Sequence, residues 1–367
     1  MRYVFSGGGT AGHINPAISV ADKIKAIEPE SEIVFIGNRN GMENKLVTLA
    51  GYPIWQIDVR GLKRSLSPDN LKAVFLAGKA VKDVKRMLRD FMPDAVIGTG
   101  GYVCYPVIKA ASKMGIYTAI HESNAVPGLT VRMLKKRADS VFTGFPECVK
   151  LLGLGECIGN PLRSGFIAES REEARKALGI SGKYKYLLVS FGGSLGAEAV
   201  NETALTVMKE LTSKRSDVLH IHAYGKNGEN FVRKFREMGL SRCDNIRVSE
   251  YIYDMPRWLS SADAVICRSG AMTLAEIAAA GAPSVLIPSP NVTGDHQYKN
   301  ALAFSEAGAA YLADERSIGY KEKALRLVTE LLTDSCKREK MREALVDVSR
   351  PDAAERMAMA IIERAKG

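Results

Sequence analysis

Short apolar runs alternate with amphipathic stretches along the whole chain. In the first half, Tyr3–Ser6, Ile33–Ile36, Ala95–Ile97, Tyr117–Ile120 and Ser140–Thr143 read as buried strands. In the second half, Tyr186–Phe191, Leu219–Ala223, Ile246–Ser249, Ala264–Cys267 and Ser284–Ile287 repeat the pattern. The stretch Ile14–Ile27 between two such runs puts Ile14, Ile18, Ala21 and Ile24 at helical spacing. Alternation of this kind predicts parallel sheets joined by right-handed helical crossovers, hence an α/β fold of doubly wound sheets. Each half opens alike, with a strand running into a glycine loop: Tyr3–Gly12 and Tyr186–Gly196. The echo predicts two Rossmann-like domains. The turn chemistry of Ile158-Gly159-Asn160-Pro161 divides them into 1–160 and 161–350. A plain helix, Ala353–Ala365, lies in the tail 351–367, and its own sequence does not assign it to either domain.

Composition adds boundaries to this picture. At roughly 100–200 residues per domain, 367 residues suit two. With 46% hydrophobic and 25% charged residues, the chain belongs with globular proteins and not with disordered ones. No apolar run reaches the ~18 residues of a membrane span, and no basic, apolar and cleavage-site succession marks the N-terminus for export. The six cysteines (Cys104, Cys148, Cys157, Cys243, Cys267, Cys336) are scattered without a C-x-x-C pair, so reduced thiols in a cytoplasmic protein are expected.

The formal net charge is +10, and its location matters more than its size. Residues 60–90 hold nine basic side chains against three acidic ones, a local excess of six. Such a segment favours an anionic partner, although a solvated helix face has the same composition.

The glycines supply the candidate chemistry. A glycine-rich turn from strand to helix gathers bare backbone amides at a helix N-terminus, which suits a diphosphate. Gly7–Gly12 precedes His13-Ile14-Asn15-Pro16, with Pro16 expected in the first helical turn. Gly98–Gly101, Gly192–Gly196 and Arg268–Ala271 follow other predicted strands. All four therefore lie at carboxyl ends of strands, where open α/β sheets bind ligands. Any one loop is as easily a tight turn; four of them point to a ligand cleft. Gly7–Gly12 matches G-x-G-x-x-G, but the next strand ends Phe35-Ile36-Gly37-Asn38-Arg39, with no acid for an adenosine ribose. No G-x-x-x-x-G-K-[ST] occurs, which argues against an NTPase.

Seven blocks carry a family resemblance. Gly8-Gly9-Thr10-Ala11-Gly12-His13, Gly98-Thr99-Gly100-Gly101-Tyr102-Val103, and His121-Glu122-Ser123-Asn124-Ala125-Val126-Pro127-Gly128 come first. Gly159-Asn160-Pro161-Leu162-Arg163, Gly192-Gly193-Ser194-Leu195-Gly196-Ala197, Arg268-Ser269-Gly270-Ala271-Met272-Thr273-Leu274-Ala275-Glu276, and Asp295-His296-Gln297-x-x-Asn300-Ala301 follow. In this order, over nearly the whole chain, they resemble the MurG family of N-acetylglucosaminyltransferases. The chain departs from common members at Ala11, Tyr105 and His296. The resemblance implies a GT-B fold: two Rossmann-like domains about a deep cleft, acceptor on the first, donor on the second, with the tail helix returning to the first. It implies inverting transfer of N-acetylglucosamine from UDP-N-acetylglucosamine to the C4 hydroxyl of muramoyl-pentapeptide on polyprenyl diphosphate. The implied place is the cytoplasmic face of a bacterial cell membrane, beside anionic lipids and other cell-wall synthesis proteins, with no nucleic-acid partner.

Roles carry over residue by residue. Glu276 resembles the acid that holds both ribose hydroxyls, and a carboxylate suits a diol; the other reading is a first-turn helix acid. Ser194 resembles part of the diphosphate cradle, and Ile252 the residue whose backbone reads the uracil edge. Gln297 and Asn124 match sugar-contacting positions. Thr10, Ala11, Gly12, Arg163, Ala271, Met272, Thr273, Leu274 and Ala275 complete the expected donor contacts; Arg163 is alternatively an interdomain ion pair. Deprotonating a sugar hydroxyl needs a base near ambient pKa, which imidazole provides. His13 is the first candidate, Glu122 the second, and Tyr102 a positioning residue. The chain has no Asp-x-Asp, so neither a metal clamp nor any cofactor is expected, and helix N-termini are left to stabilise the leaving diphosphate.

Three other readings are weighed against this one: a related transferase acting on diacylglycerol, a two-domain binding protein without turnover, and an NAD-dependent oxidoreductase. Membrane docking is expected from the segment 71–88. Its Leu71, Val74, Phe75, Val81, Val84 and Leu88 are read as one apolar stripe flanked by Lys72, Lys79, Lys82 and Lys85. The same stripe could instead face the core.

Overall fold

The strand cores explain the architecture. Tyr3, Val4 and Phe5, like Leu187, Leu188 and Val189, are wholly buried, as strands covered on both faces must be. A computed structural model describes residues 1–61, 68–163, 170–180 and 182–366. It divides into two units, Met1–Ser164 with Arg350–Gly367, and Gly165–Ser349. The sequence boundary at 160/161 falls four residues from the first of these limits.

The first unit holds seven parallel strands: β1 (Arg2–Ser6), β2 (Glu32–Asn38), β3 (Ile54–Ile57), β4 (Ala95–Gly98), β5 (Tyr117–Glu122), β6 (Ser140–Thr143) and β7 (Glu156–Cys157). Their order is β3-β2-β1-β4-β5-β6-β7. The helices are α1 (Ala11–Ile27), α2 (Glu43–Leu49), α3 (Pro68–Phe91), α4 (Cys104–Ser112), α5 (Leu129–Leu134) and α6 (Pro146–Leu152). The strand pleat sorts them into two layers. Phe5 and Phe35 point to α1, packing with Ile14, Ile18 and Ile24. Val4 and Ile36 point the other way, to Val84 and Leu88 of α3, Val107 of α4 and Val131 of α5.

The second unit follows with α7 (Arg171–Ala177), β8 (Tyr186–Phe191), α8 (Glu198–Glu210), β9 (Val218–Ala223), α9 (Glu229–Glu237), β10 (Ile246–Ser249) and α10 (Met255–Ser261). It continues through β11 (Ala264–Cys267), α11 (Ala271–Ala280), β12 (Ser284–Leu286), α12 (His296–Glu306), β13 (Tyr311–Leu312), α13 (Tyr320–Thr333) and α14 (Ser335–Val348). Its parallel sheet runs β10-β9-β8-β11-β12-β13. The last helix, α15 (Ala353–Lys366), belongs to the first unit, where Met357, Ala358, Ile361 and Ile362 join the core beneath α1.

In each sheet the winding direction reverses beside the first strand, between β1 and β4 and between β8 and β11. These are topological switch points, where the loops part and leave a crevice at the carboxyl ends of the strands. The four glycine loops follow those four strands.

Two readings need correction. Pro16 lies six residues into α1, since the helix begins at Ala11. It therefore sits in the second turn, and its missing N–H leaves the Gly12 carbonyl without the usual helical donor. The apolar stripe on α3 also divides. Val84 and Leu88 are fully buried with Ala73 and Ala80, whereas Phe75 is 75% exposed. Nine residues are two and a half helical turns, so Phe75 and Val84 must point in opposite directions. The side chains of Leu71, Lys72 and Val74 lie outside the described part of the structure. Among the described residues, no helix is long and apolar enough to cross a membrane.

Candidate active site

At the first switch point the loops after β1 and β4 clasp one another. Gly8 N–H donates to the Gly100 carbonyl (3.3 Å), and Thr99 N–H to that of Ser6 (2.9 Å). The Thr99 hydroxyl donates to the His13 carbonyl (2.6 Å). His13 is the third residue of α1, and its ring stands over Gly100: a Cβ there would lie 2.3 Å from Nδ1. Any side chain at 100 would displace the imidazole. Thr10 is the extended residue before α1 and makes no side-chain cap bond. Thr10 and Ala11 are exposed. The N–H groups of Ala11 and Gly12 open the helix where no intrahelical acceptor exists, so they can face a ligand.

Tyr102 reaches the same loop from the β4 side. Its hydroxyl accepts a bond from Asn38 Nδ2 (3.1 Å), and its ring lies against Gly9. Glu122 is 4% exposed. One of its oxygens accepts the backbone and side-chain N–H of Asn124 (3.1 and 3.0 Å), the other the N–H of Gly128 (2.7 Å). These bonds shape the 123–128 turn and start α5. A carboxylate so occupied organises a loop. Neighbouring His121 is buried, its Nε2 3.0 Å from the Gly159 carbonyl. Burial lowers its pKa to about 4, so it stays neutral. Arg163 donates to Asn15 Oδ1 of α1 (2.8 Å). That partner is an amide within the first unit.

The second switch point is built differently. The turns after β8 and β9 press backbone on backbone: a Cβ on Gly196, where φ is +82°, would lie 2.2 Å from the Tyr224 carbonyl. Lys226 N–H donates to the Ser194 carbonyl (3.1 Å) and Asn227 N–H to that of Leu195 (3.0 Å), leaving the Ser194 side chain exposed. After β11, Gly270 caps α11 with no side-chain bond, and no acid occupies the first turn. Ala271, Met272 and Thr273 carry the leading N–H groups of α11, at the positive end of its dipole. Leu274 is wholly buried and its N–H donates to the Gly270 carbonyl (3.0 Å), so it contributes packing. Ala275 and Glu276 are half-buried. Glu276 lies in the second turn of α11, not the first, so the helix-acid reading loses its basis. Ile252 is buried, which leaves its backbone to meet a ligand. Gln297 Oε1 accepts Ser289 N–H (2.9 Å), and the Gln297 carbonyl accepts the Ser269 hydroxyl (2.8 Å). What Gln297 can offer a ligand is its NH2 group.

Away from both switch points, the outward face of α3 carries Phe75 with Lys79, Lys82 and Arg86 exposed, while Lys85 is half-buried. The sequence reading missed α5, where Leu129 (60%) and Met133 (45%) are exposed beside exposed Arg132 and Lys136. Two apolar residues four apart in a six-residue helix give too short a pattern to notice. Among the described residues, no group of three or more His, Cys, Asp or Glu side chains is arranged to hold a metal.

The arrangement has known counterparts. Residues 3–143 match the glycosyltransferase family 28 N-terminal domain, and 187–357 the family 28 C-terminal domain. An Acetivibrio thermocellus protein is 41% identical over 364 residues, covering 97% of this chain and 96% of its own. It is named UDP-N-acetylglucosamine–N-acetylmuramyl-(pentapeptide) pyrophosphoryl-undecaprenol N-acetylglucosamine transferase. A Bacillus cytotoxicus protein of the same name is 38% identical, with 97% of each chain covered. The crystal structure of Acinetobacter baumannii MurG superposes with a TM-score of 0.78 at 29% identity, over 99% of both chains. The chain belongs to the MurG family. It is thus a glycosyltransferase, and its two parallel sheets are those of the GT-B fold. A UDP-N-acetylglucosamine 2-epimerase from Neisseria meningitidis, 14% identical with a TM-score of 0.70, shares that fold alone with this MurG-family chain.

Proposed function

We propose that the chain transfers N-acetylglucosamine from UDP-N-acetylglucosamine to the C4 hydroxyl of muramoyl-pentapeptide carried on undecaprenyl diphosphate, with inversion at the anomeric carbon. Full-length membership in a family whose named members carry out this transfer is the observation that supports the reading most. The second unit takes the donor. Glu276 accepts from both ribose hydroxyls, the Ile252 backbone meets uracil, and Ser194 with the α11 amides faces the diphosphate. Gln297 binds sugar hydroxyls, as does Asn124 of the first unit, with Thr10, Ala11, Gly12 and Arg163 as further contacts.

In the proposed reaction His13 removes the proton of the C4 hydroxyl as that oxygen attacks the anomeric carbon. The bond from that carbon to the diphosphate oxygen breaks, and UDP leaves with the electron pair. In this reading, amides at the α11 N-terminus stabilise the charge that develops on the diphosphate. No cofactor is invoked, and transfer is expected to persist in EDTA.

The acceptor lipid cannot leave its bilayer, so the chain goes to it, at the cytoplasmic face of the bacterial cell membrane. Phe75 with Lys79, Lys82 and Lys85 on α3, joined by Leu129 and Met133 on α5, supports attachment to anionic lipid; Leu71 and Lys72 continue the α3 segment. Other cell-wall synthesis proteins are proposed partners at the same membrane.

A panel of UDP-sugars offered with either the muramoyl lipid or diacylglycerol tests the reading. Transfer of N-acetylglucosamine to the muramoyl lipid alone is the expected result. Turnover with diacylglycerol would support the rival lipid-glycosylating activity.

A further inference from the structure

We propose that Glu43 is a positioning residue for transfer: its buried carboxylate bridges the loops after β1 and β2 and so fixes the glycine loop that presents His13. The inference rests on the reading of His13 as the base.

Glu43 opens α2 and is only 1% exposed. Its Oε1 accepts the Asn38 N–H (2.9 Å), and its Oε2 the Gly9 N–H (3.3 Å). The side chain is enclosed by glycines. A Cβ on Gly8, Gly37 or Gly41 would come within 2.6, 2.7 or 2.2 Å of Glu43 atoms, so each position is kept bare for the carboxylate to enter. From the other side, Asn44 Nδ2 lies within bonding distance of the carbonyls of Asn38 (2.9 Å), Arg39 (3.0 Å) and Gly41 (3.0 Å). The circuit then closes. Asn38 Nδ2 donates to the Tyr102 hydroxyl, and the Tyr102 ring returns to Gly9.

This circuit has a chemical consequence. Gly9 N–H is turned inward to Glu43, so it is withdrawn from any ligand at this loop, whereas the N–H groups of Ala11 and Gly12 have no intrahelical acceptor. Gly8 is held to Gly100, on which the His13 ring rests. A shift of the loop therefore moves the imidazole. Each carboxylate oxygen faces an N–H, so an amide in its place would set an NH2 against one of them. Burying a polar group in so dry a place is costly unless it is hydrogen-bonded; what this carboxyl provides is a fixed loop geometry.

The test is a double-mutant cycle on the full chain, with Glu43→Gln, His13→Ala and both together. Donor affinity is measured by calorimetry, and the melting midpoint alongside kcat. Glu43→Gln is expected to lower kcat about 10- to 100-fold, the scale for a misplacement of about 1 Å, with a smaller loss of affinity for UDP-N-acetylglucosamine, since the same loop carries Thr10, Ala11 and Gly12. The double variant is expected to be no slower than His13→Ala, because Glu43 acts through His13. Wild-type kcat in Glu43→Gln, with His13→Ala impaired, overturns the inference and leaves the base reading intact. Losses that multiply in the double variant also overturn it, since Glu43 would then act independently. An unimpaired His13→Ala removes the base reading, and this inference with it. If Glu43→Gln does not fold, Glu43→Asp, which keeps the carboxyl group but shortens the reach, is expected to show a smaller loss in kcat with the same non-additivity.

Discussion

The two switch points share one architecture and differ in what fills it. In the first unit, the glycine loops are crossed by side chains: His13 over Gly100, Thr99 on the His13 carbonyl, Tyr102 against Gly9, Glu122 drawing the 123–128 turn together. In the second, the turns meet backbone to backbone, and α11 begins Ala271-Met272-Thr273 with no acid in its first turn. Backbone amides at a helix N-terminus suit a diphosphate, which needs many weak donors in fixed directions. A positioned imidazole suits proton removal, which needs one group at one place. In the proposed reaction, a duplicated fold divides the work: one unit supplies charge stabilisation, the other proton transfer.

The strongest way to break that comparison is His13→Ala. Its kcat is expected to fall by roughly 10²–10⁴ with donor affinity unchanged. A rise in KM alone would make His13 a loop-orienting residue.

Acid should separate the units next. In the second, Ser190 Oγ lies 2.8 Å from His220 Nε2 and 2.7 Å from His222 Nδ1. Burial pushes the pKa of His222 down to about 3 and that of His220 well below its usual value. In the first unit, burial lowers His121 to about 4. These rings stay neutral when folded, while the unfolded chain takes up protons below its pKa of about 6.5. Stability therefore falls as pH drops below that value. The second unit, with two such rings, is therefore expected to lose more stability in acid than the first. Trp55 lies in the first unit and Trp258 in the second. Urea unfolding of Trp55→Phe and Trp258→Phe, followed by the fluorescence that remains, reads each unit separately. Equal pH dependence of the two signals would contradict the expectation.

Glu276→Ala is expected to weaken UDP-N-acetylglucosamine by ~1.5–3 kcal/mol, the scale of hydrogen bonds to a charged group. Unchanged donor affinity in calorimetry would remove Glu276 from the donor site. The smallest effect belongs to the surface. At about 1 kcal/mol per basic residue near an anionic leaflet, changing Lys79 and Lys82 to Gln should weaken liposome binding by about 2 kcal/mol at low salt. Raising the salt should shrink the difference, because the charges are exposed. Equal co-sedimentation of both proteins with anionic liposomes would free these lysines of that role.

Most of the fold was legible because parallel strands buried on both faces leave continuous apolar runs. Ser140–Thr143, Tyr186–Phe191, Ile246–Ser249 and Ala264–Cys267 match their strands end to end. The unread strands β3, β7 and β13 lie toward sheet edges. Ile54-Trp55-Gln56-Ile57 is only partly covered, and the other two are two residues long. The glycine loops could be read as candidate anion sites because strand, glycine and helix are adjacent in sequence. Glu43 could not, since its burial arises only when loops from β1 and β2 fold over it. Nor could the division of α3, because apolar spacing near a helical repeat does not reveal which turn faces the sheet.

The most direct measurement of the central claim is the product itself. Purified chain is incubated with UDP-N-acetylglucosamine and a polyprenyl-diphosphate muramoyl-pentapeptide, and the product is examined by mass spectrometry and proton NMR. The account predicts one added N-acetylhexosamine, joined at C4 of the muramoyl sugar by a β linkage, with one UDP released for each product. A retained α linkage, or UDP release without a glycosylated lipid, would contradict it.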